Sequence, residues 1–328
     1  MSSSVSENIG TARLSVLAVF FFNGFAIASW FVRIPAVRND LSLSEGLLGV
    51  ALLGVAVGAM ASMPVAGALA SRFGSRRVVG ATALLLAVSL VPPALAPNLF
   101  FLVLALVLLG AANGALDVSM NAQAVAVEGR YGRPIMSSFH AAFSFGGLAG
   151  AAGGGVIASL GVGTLAHLSA VAALCAIAGL AAYRPLLPAS ADAAEDGAPA
   201  FARPTQALLG LGVISFCVLL GEGAMADWSA VYLNGTLQTG PGLAAAGYAA
   251  FSLTMAFGRL FGDRLIERVG PATLVRLCGA LAAVGLGVAL TVANPVAALV
   301  GFACAGAGFS IVFPAALSAA GRPEGIAA

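Results

Sequence analysis

Three carboxylates and one imidazole stand where apolar sequence should simply continue. Asp117 follows a stretch, residues 78–116, that contains no charged residue, and it has Asn113 four positions before it and Asn121 four after. Glu222 and Asp227 interrupt a second apolar run, residues 205–232, and His140 lies in a third, residues 134–183. An ionised carboxylate in hydrocarbon costs several kcal/mol, at least ~2.5 by insertion scales. Such a group must face a protein interior or water, or be neutral. Side chains four apart share a helix face, so Asn113, Asp117 and Asn121 form one polar stripe, expected to face a central cavity. The chemistry open to these groups is reversible proton binding by Asp117, Glu222 and His140, and hydrogen bonding of a polar solute by the amides. The bland alternative is that each acid is fixed in a structural hydrogen bond.

Depth along the chain separates these candidates further. Counting outwards from a turn expected near Glu128-Gly129, Asp117 and His140 lie at similar depth. A contact between them, direct or through water, is one reading; a bond from His140 to a backbone carbonyl or to Ser137 is the other. Glu222 falls mid-segment and is the better proton-coupling residue of its pair. Asp227, beside Trp228, falls near the outer end, where it would serve a gate or cap a loop. Asn23, Asn113, Asn121, Trp30 and Trp228 could together bind a sugar-like solute, the indoles against its C–H face and the amides on its hydroxyls. Trp is also enriched at membrane interfaces for its own reasons. Arg33 is expected to be solvated outside or to belong to a gate.

The elements that must carry these groups follow from composition. Hydrophobic residues make up 60% of the 328 and charged residues 9%, with a mean hydropathy of +1.01. Soluble domains are nearer a quarter charged. Apolar blocks recur along the whole chain, and a span needs about 20 residues. Residues 14–32 and 46–70 give two helices. Residues 78–116 continue into two more, broken at Pro92-Pro93 and Pro97-Asn98, and residues 134–183 give two, split near Gly161–Gly163. Residues 205–232 and 244–261 give a seventh and an eighth, and residues 277–321 a ninth and tenth, broken at Asn294-Pro295. The first run continues past Ala26-Ile27-Ala28, so it reads as a retained helix and not a cleaved leader. Cys175, Cys217, Cys278 and Cys304 stand singly in apolar helices as small packing residues, with no disulfide or metal pattern.

All 15 basic residues are arginines. With the amino terminus inside, Arg33 and Arg38 alone fall in outer loops, and Arg13, Arg72, Arg76, Arg77, Arg130, Arg133, Arg184, Arg203, Arg259, Arg264, Arg268, Arg276 and Arg322 fall in inner segments. That asymmetry is a positive-inside bias, so the net charge of +2 orients helices and implies no nucleic-acid partner.

The chain also repeats itself. "ASRFGSRRVV" (70–79) resembles "IERVGPATLV" (266–275) at an offset of 196, Ser29-Trp30 answers Asp227-Trp228 at 198, and "GRP" at 132–134 recurs at 321–323. Six helices separate the copies, so each enters the membrane in the same direction, as in parallel-repeat transporters. The expected organisation is an N-terminal six-helix half, residues 1–183, a cytoplasmic linker, residues 184–206, and a C-terminal half, residues 207–328. The second half has no counterpart of residues 134–183, so two further helices, about 60 residues, are expected to be missing.

The loop "GALASRFGSRRV" (67–78) resembles the signature of the major facilitator superfamily between helices two and three, with Gly67, Arg72, Gly74, Arg76 and Arg77 fitting and Ser71 standing where the family has Asp. "DRLIERVG" (263–270) resembles it again in the second half through Glu267, Arg268 and Gly270, with an added Asp263. "FFNGFAIASWFVRIPAVRNDLSLSEGLLG" (21–49), "ALDVSMNAQAVAVEGRYGRPIMSSFHAAFSFGGLAG" (115–150) and "LLGEGAMADWSAVYL" (219–233) look like the bacterial inner-membrane group near the fucose permeases, which are proton symporters. The resemblance implies an all-α integral membrane protein, a bundle of two parallel six-helix repeats with ten helices present. It implies gating roles for Gly67, Arg72, Gly74, Arg76, Arg77, Asp263 and Arg268; the bland alternative is that Arg72, Arg76 and Arg77 merely set topology.

Together these readings point to a proton-linked secondary transporter of a small polar, sugar-like solute, multi-pass in the bacterial inner membrane. It would work as a monomer by rocking of its halves, without a cofactor or metal. Efflux of amphipathic compounds by the same fold is the alternative. A ten-helix carrier of two five-helix repeats predicts an offset near half the chain, against the one observed. An enzymatic role lacks a nucleophile constellation or a metal-binding spacing.

Overall fold

The computed structural model describes residues 2–132, 135–188 and 206–320. The linker's Arg203, the second "GRP" and Arg133 lie outside those residues, as do the side chains of Ser137 and Asp263. Among the described residues twelve α-helices follow one another: α1 (Ser2–Phe31), α2 (Ile34–Asp40), α3 (Glu45–Phe73), α4 (Ser75–Ser89), α5 (Pro92–Leu95), α6 (Leu99–Tyr131), α7 (Met136–Ser159), α8 (Thr164–Tyr183), α9 (Gln206–Val231), α10 (Pro241–Val269), α11 (Pro271–Val292) and α12 (Pro295–Ala320). A π-helical turn, Tyr232–Thr236, extends α9. Among the described residues ten spans are long and apolar enough to cross a membrane. The chain divides into two compact units, residues 1–194 and 195–328.

Proline and glycine punctuate the helices where the backbone demands it. Pro35, Pro92, Pro241, Pro271 and Pro295 stand in first turns, where a missing N–H costs nothing. Asn98 caps α6 by accepting from the Phe101 amide, and Ser44 caps α3 from Leu47. Gly74 ends α3 and starts α4 with φ 83° and ψ 141°; Gly270 does the same between α10 and α11 with φ 83° and ψ 147°. Such a backbone excludes ordinary L side chains. The same turn, 196 residues apart, makes the internal repeat a feature of the backbone as well as of the sequence.

Within the first unit α3 packs along α6 and α1 along α7, with α4 against α6 and α8. Small residues bring the backbones together, as apolar helices in lipid require. A Cβ at Gly58 or Gly110 would overlap the facing carbonyl of Val107 or Val55, and one at Gly24 or Gly146 that of Phe143 or Phe21. Within the second unit α12 plays the part of α6, packed on α11, α10 and α9. Thr254 on α10 donates to the Ala303 carbonyl of α12 at 2.7 Å. The apolar side chains left outward, such as Leu53, Val57 and Met60 on α3 and Val213, Phe216 and Leu220 on α9, suit a lipid solvent.

Residues 99–131 form one continuous helix, longer than the apolar run predicted. The turn expected at Glu128-Gly129 falls instead at Gly132, whose φ of 72° closes the helix. The Glu128 carboxylate lies inside the last turn of α6 and accepts the amides of Ile135 and Met136, both at 2.7 Å. A polar helix end continues into water as readily as an apolar one into lipid, so hydropathy alone places the boundary too early.

Candidate functional site

The polar groups of the first unit centre on α6. Asn113, Asp117 and Asn121 are half-buried, and Asn121 donates to the Asp117 carbonyl at 2.9 Å and to its carboxylate at 3.3 Å. The stripe is therefore partly self-satisfied along its own helix, while the Asn113 side-chain oxygen is buried without a partner among the described residues. His140 does not share Asp117's depth. Its ring stands edge-on to Phe20 of α1 with centroids 5.4 Å apart, whereas Met120 of α6 meets Asn23 of α1. Those contacts set α7, parallel to α1, and α6, antiparallel to it, in register on α1, and Asp117 lies roughly 9 Å beyond His140 along that helix at 1.5 Å per residue. The expected equal depth is overturned because α6 runs on to Tyr131 and α7 starts only at Met136.

Asn23 is 2% exposed, and its amide nitrogen points to the Met120 sulfur at 3.6 Å. It borders a small cavity of about 20 Å³ between α1, α4, α6 and α8, room for about one water. Trp30 is buried at 2% exposure, and Trp228 is half-buried. The tryptophans thus differ in their access to any ligand.

Arg33 is neither solvated nor peripheral. It is 4% exposed, and its Nε donates to Nδ1 of His167 at 2.8 Å. His167, in the first turn of α8, is itself 3% exposed. Sequence reasoning passed over His167 because a lone imidazole in an apolar helix carries no spacing signal, and Arg33, 134 residues away, is its partner only in three dimensions.

In the second unit Glu222 of α9 forms an ion pair with Arg259 of α10 at 3.4 Å. The arginine side chain is 11% exposed and the glutamate 23%. The other Glu222 oxygen is buried with no partner among the described residues. Arg259 is thus no loop arginine setting topology; it stands within the eighth span, residues 241–262. Its position inside the apolar run 244–261 was the available signal. Asp227 is half-buried one turn further along α9, beside the buried Ser229. Tyr248 and Ser252 of α10 hydrogen-bond each other close to these charges.

The signature loop serves packing in visible ways. Arg76 donates to the Arg184 carbonyl at 2.9 Å and lies over the Tyr183 ring at 4.9 Å, tying the start of α4 to the end of α8. Arg72 lies over its neighbour Phe73 at 5.2 Å. Arg72, Arg77 and Arg268 are exposed. A Cβ at Gly67 would meet Val118 at 4.0 Å, an ordinary contact, so local packing does not require glycine there.

The sequence profile described as the Major Facilitator Superfamily matches residues 16–322. The chain belongs to this superfamily. An uncharacterized MFS-type transporter of Yersinia pestis is 36% identical over 310 residues, covering 94% of this chain and 80% of that protein. The superfamily fold recurs in solved structures at low identity. The nucleoside transporter NupG superposes with a TM-score of 0.71 at 12% identity, covering 93% of this chain and 80% of its own. A D-xylose–proton symporter does so with a TM-score of 0.69 at 15% identity, covering 92% and 80%. This superfamily member is therefore a multi-pass membrane protein of a transporter family.

One further clamp leaves no signal in the sequence. Gln123 of α6 is fully buried; its amide donates to the Leu187 carbonyl at 3.0 Å and accepts the Leu187 amide at 3.1 Å. A glutamine that satisfies a stretch of irregular backbone leaves no pattern in sequence.

Proposed function

We propose that this chain is a proton-coupled secondary transporter of a small polar organic solute, sugar-like in its hydroxyl-rich chemistry, working by alternating access in the bacterial inner membrane with its amino terminus in the cytoplasm. The observation that carries the reading is the Glu222–Arg259 pair between two membrane helices. An intramembrane ion pair is costly to bury, and a carboxylate with one oxygen unpartnered has a place for a proton. Protonation of Glu222 removes the attraction that holds Arg259 and lets α9 and α10 move relative to each other. Asp117, held by Asn121, is the second coupling carboxylate, and His140 the third titratable group. Asn23, Asn113, Asn121, Trp30 and Trp228 are assigned to solute recognition, with Asn23 and Trp30 reached when the buried α1 face opens. Gly67, Arg72, Gly74, Arg76, Arg77, Asp227, Asp263 and Arg268 are assigned to gating, and the six-helix half, linker and second half to residues 1–183, 184–206 and 207–328. The likeness to fucose permeases and to a D-xylose–proton symporter supports a sugar-like solute, and NupG extends the candidates to nucleosides.

Membrane vesicles holding the full chain test this with radiolabelled L-fucose, D-xylose and uridine, with and without an imposed proton gradient. Accumulation that collapses with a protonophore is expected for at least one class. Asp117→Asn and Glu222→Gln should each abolish accumulation and leave exchange. Resistance to amphipathic compounds with no uptake from the panel would transfer the reading to efflux.

A further inference from the structure

The buried pair at the far end of α1 has no place in that scheme. Arg33 stands in the corner between α1 and α2, and His167 opens α8. Gly154 of α7 lies alongside: a Cβ there would come within 2.6 Å of Val32 and 3.1 Å of His167 Cε1. Three segments of the first half therefore converge on one hydrogen bond.

Its chemistry fixes the state of the imidazole. A guanidinium only donates, so Nδ1, which accepts from Arg33 Nε at 2.8 Å, must hold a lone pair, and the ring's proton is on Nε2. The ring is neutral and the pair carries a single positive charge. One terminal nitrogen of Arg33, Nη2, is buried with no partner among the described residues, so that charge is already incompletely compensated. A proton added at Nδ1 takes away the acceptor and sets two cations side by side where water is excluded, an arrangement strongly repulsive at low dielectric.

Among the described residues the surroundings offer no buried counter-charge to absorb the second charge. On α2 the charged groups are Arg38 and Asp40, and Arg38 is engaged by the Leu43 carbonyl and by Glu45 of α3 at 3.5 Å. On α7 the titratable side chain is His140, 14 residues from Gly154 and roughly 21 Å along the helix. On α8 they are Cys175 and Tyr183, two and four turns beyond His167. On α1 the next is Arg13, at the opposite end, held by Tyr131 of α6.

We propose that His167 is a further proton-binding site, apart from the Asp117 and Glu222 carboxylates, and that its protonation releases α8 and α7 from the α1–α2 corner by breaking the bond to Arg33. Imidazole is a side chain that binds and releases a proton reversibly and can switch a hydrogen bond in doing so. Asp117 and Glu222 would couple the proton to solute movement; His167 would set how readily this end of the half opens as the medium acidifies. The site needs neither the solute nor those carboxylates, so it can hold even where the uptake panel fails.

The test uses the full chain in lipid nanodiscs, without a histidine tag. With two histidines in the sequence, ¹⁵N-histidine NMR resolves both rings, and His167→Gln, whose amide oxygen can still accept from Arg33, identifies the second. At pH 7.5 the His167 ring should be neutral with its proton on Nε2, and it should become doubly protonated on acidification. Over the same range, hydrogen exchange in residues 28–42 and 160–170, corrected for intrinsic rates, should rise several-fold in the wild type and stay flat in His167→Gln. A proton on Nδ1 at pH 7.5 would overturn the proposal, because Arg33 could not then donate. So would exchange that is independent of pH, or a rise that persists in His167→Gln.

Discussion

The two halves of this superfamily member share a turn and a hub helix, yet they hold buried charge in different ways. In the first, Arg33 rests on a neutral imidazole and Asp117 on a neighbouring amide. In the second, Glu222 and Arg259 face each other as opposite charges across two helices. Enclosure differs as well: 67% of the most apolar stretch of the first span is buried, against 17% in the seventh, its counterpart by repeat. In the first half α7 and α8 cover α1, and α8 supplies the partner for Arg33. Charge on a covered helix can be met by a neutral group from the cover. Charge on α9 is met by its neighbour α10. Parallel repeats therefore conserve backbone geometry while the polar partners follow from which helices surround each position.

The largest effect should come from breaking the ion pair. Arg259→Leu leaves a buried carboxylate alone and should cost about 3–5 kcal/mol in unfolding experiments in detergent. The double variant with Glu222→Leu should recover most of that loss. If Arg259→Leu proves neutral, the second half does not rely on the pair, and the contrast between the halves disappears.

Next come the matched glycines. Gly74→Ala and Gly270→Ala should each cost about 1–3 kcal/mol, since both positions have φ 83°. Equal losses would support an equivalent turn in both halves, while a tolerated change at one would show that the halves accommodate this turn differently. Gln123→Ala probes a clamp found in the first half and should cost about 1–3 kcal/mol for the buried Leu187 groups left unpaired. Smallest is Gly67→Ala, expected within about 0.5 kcal/mol, because a Cβ there meets only an ordinary contact. A marked loss of transport with unchanged stability would then show a gating role for Gly67 that packing does not reveal.

Several of these features could be read before any fold was known. The parallel between Gly74 and Gly270 was legible because a backbone at φ 83° and ψ near 141–147° strongly favours glycine wherever it occurs. The end of α6 was not legible. Residues 117–131 are polar enough to leave the apolar run, and only the Glu128 cap and the Gly132 turn show that the helix continues through them. Asp117 and Glu222 announced themselves as charges in apolar surroundings, and Asn121 as a partner one turn away. Arg259 is visible in its run but reads there as an orienting charge, since sequence carries no measure of what lies across from a side chain.

By itself, then, the sequence determined what is periodic or locally expensive: ten apolar spans, a repeat, glycines at strained turns, carboxylates out of place in lipid. Each of these is written in neighbouring residues, because hydrophobic length and backbone sterics act over a few positions. The tertiary structure decided the pairings, Arg33 with His167, Glu222 with Arg259 and Gln123 with Leu187. Hydrogen bonds and ion pairs depend on separations of about 3 Å, and residues far apart in the chain reach such distances only after the helices have packed.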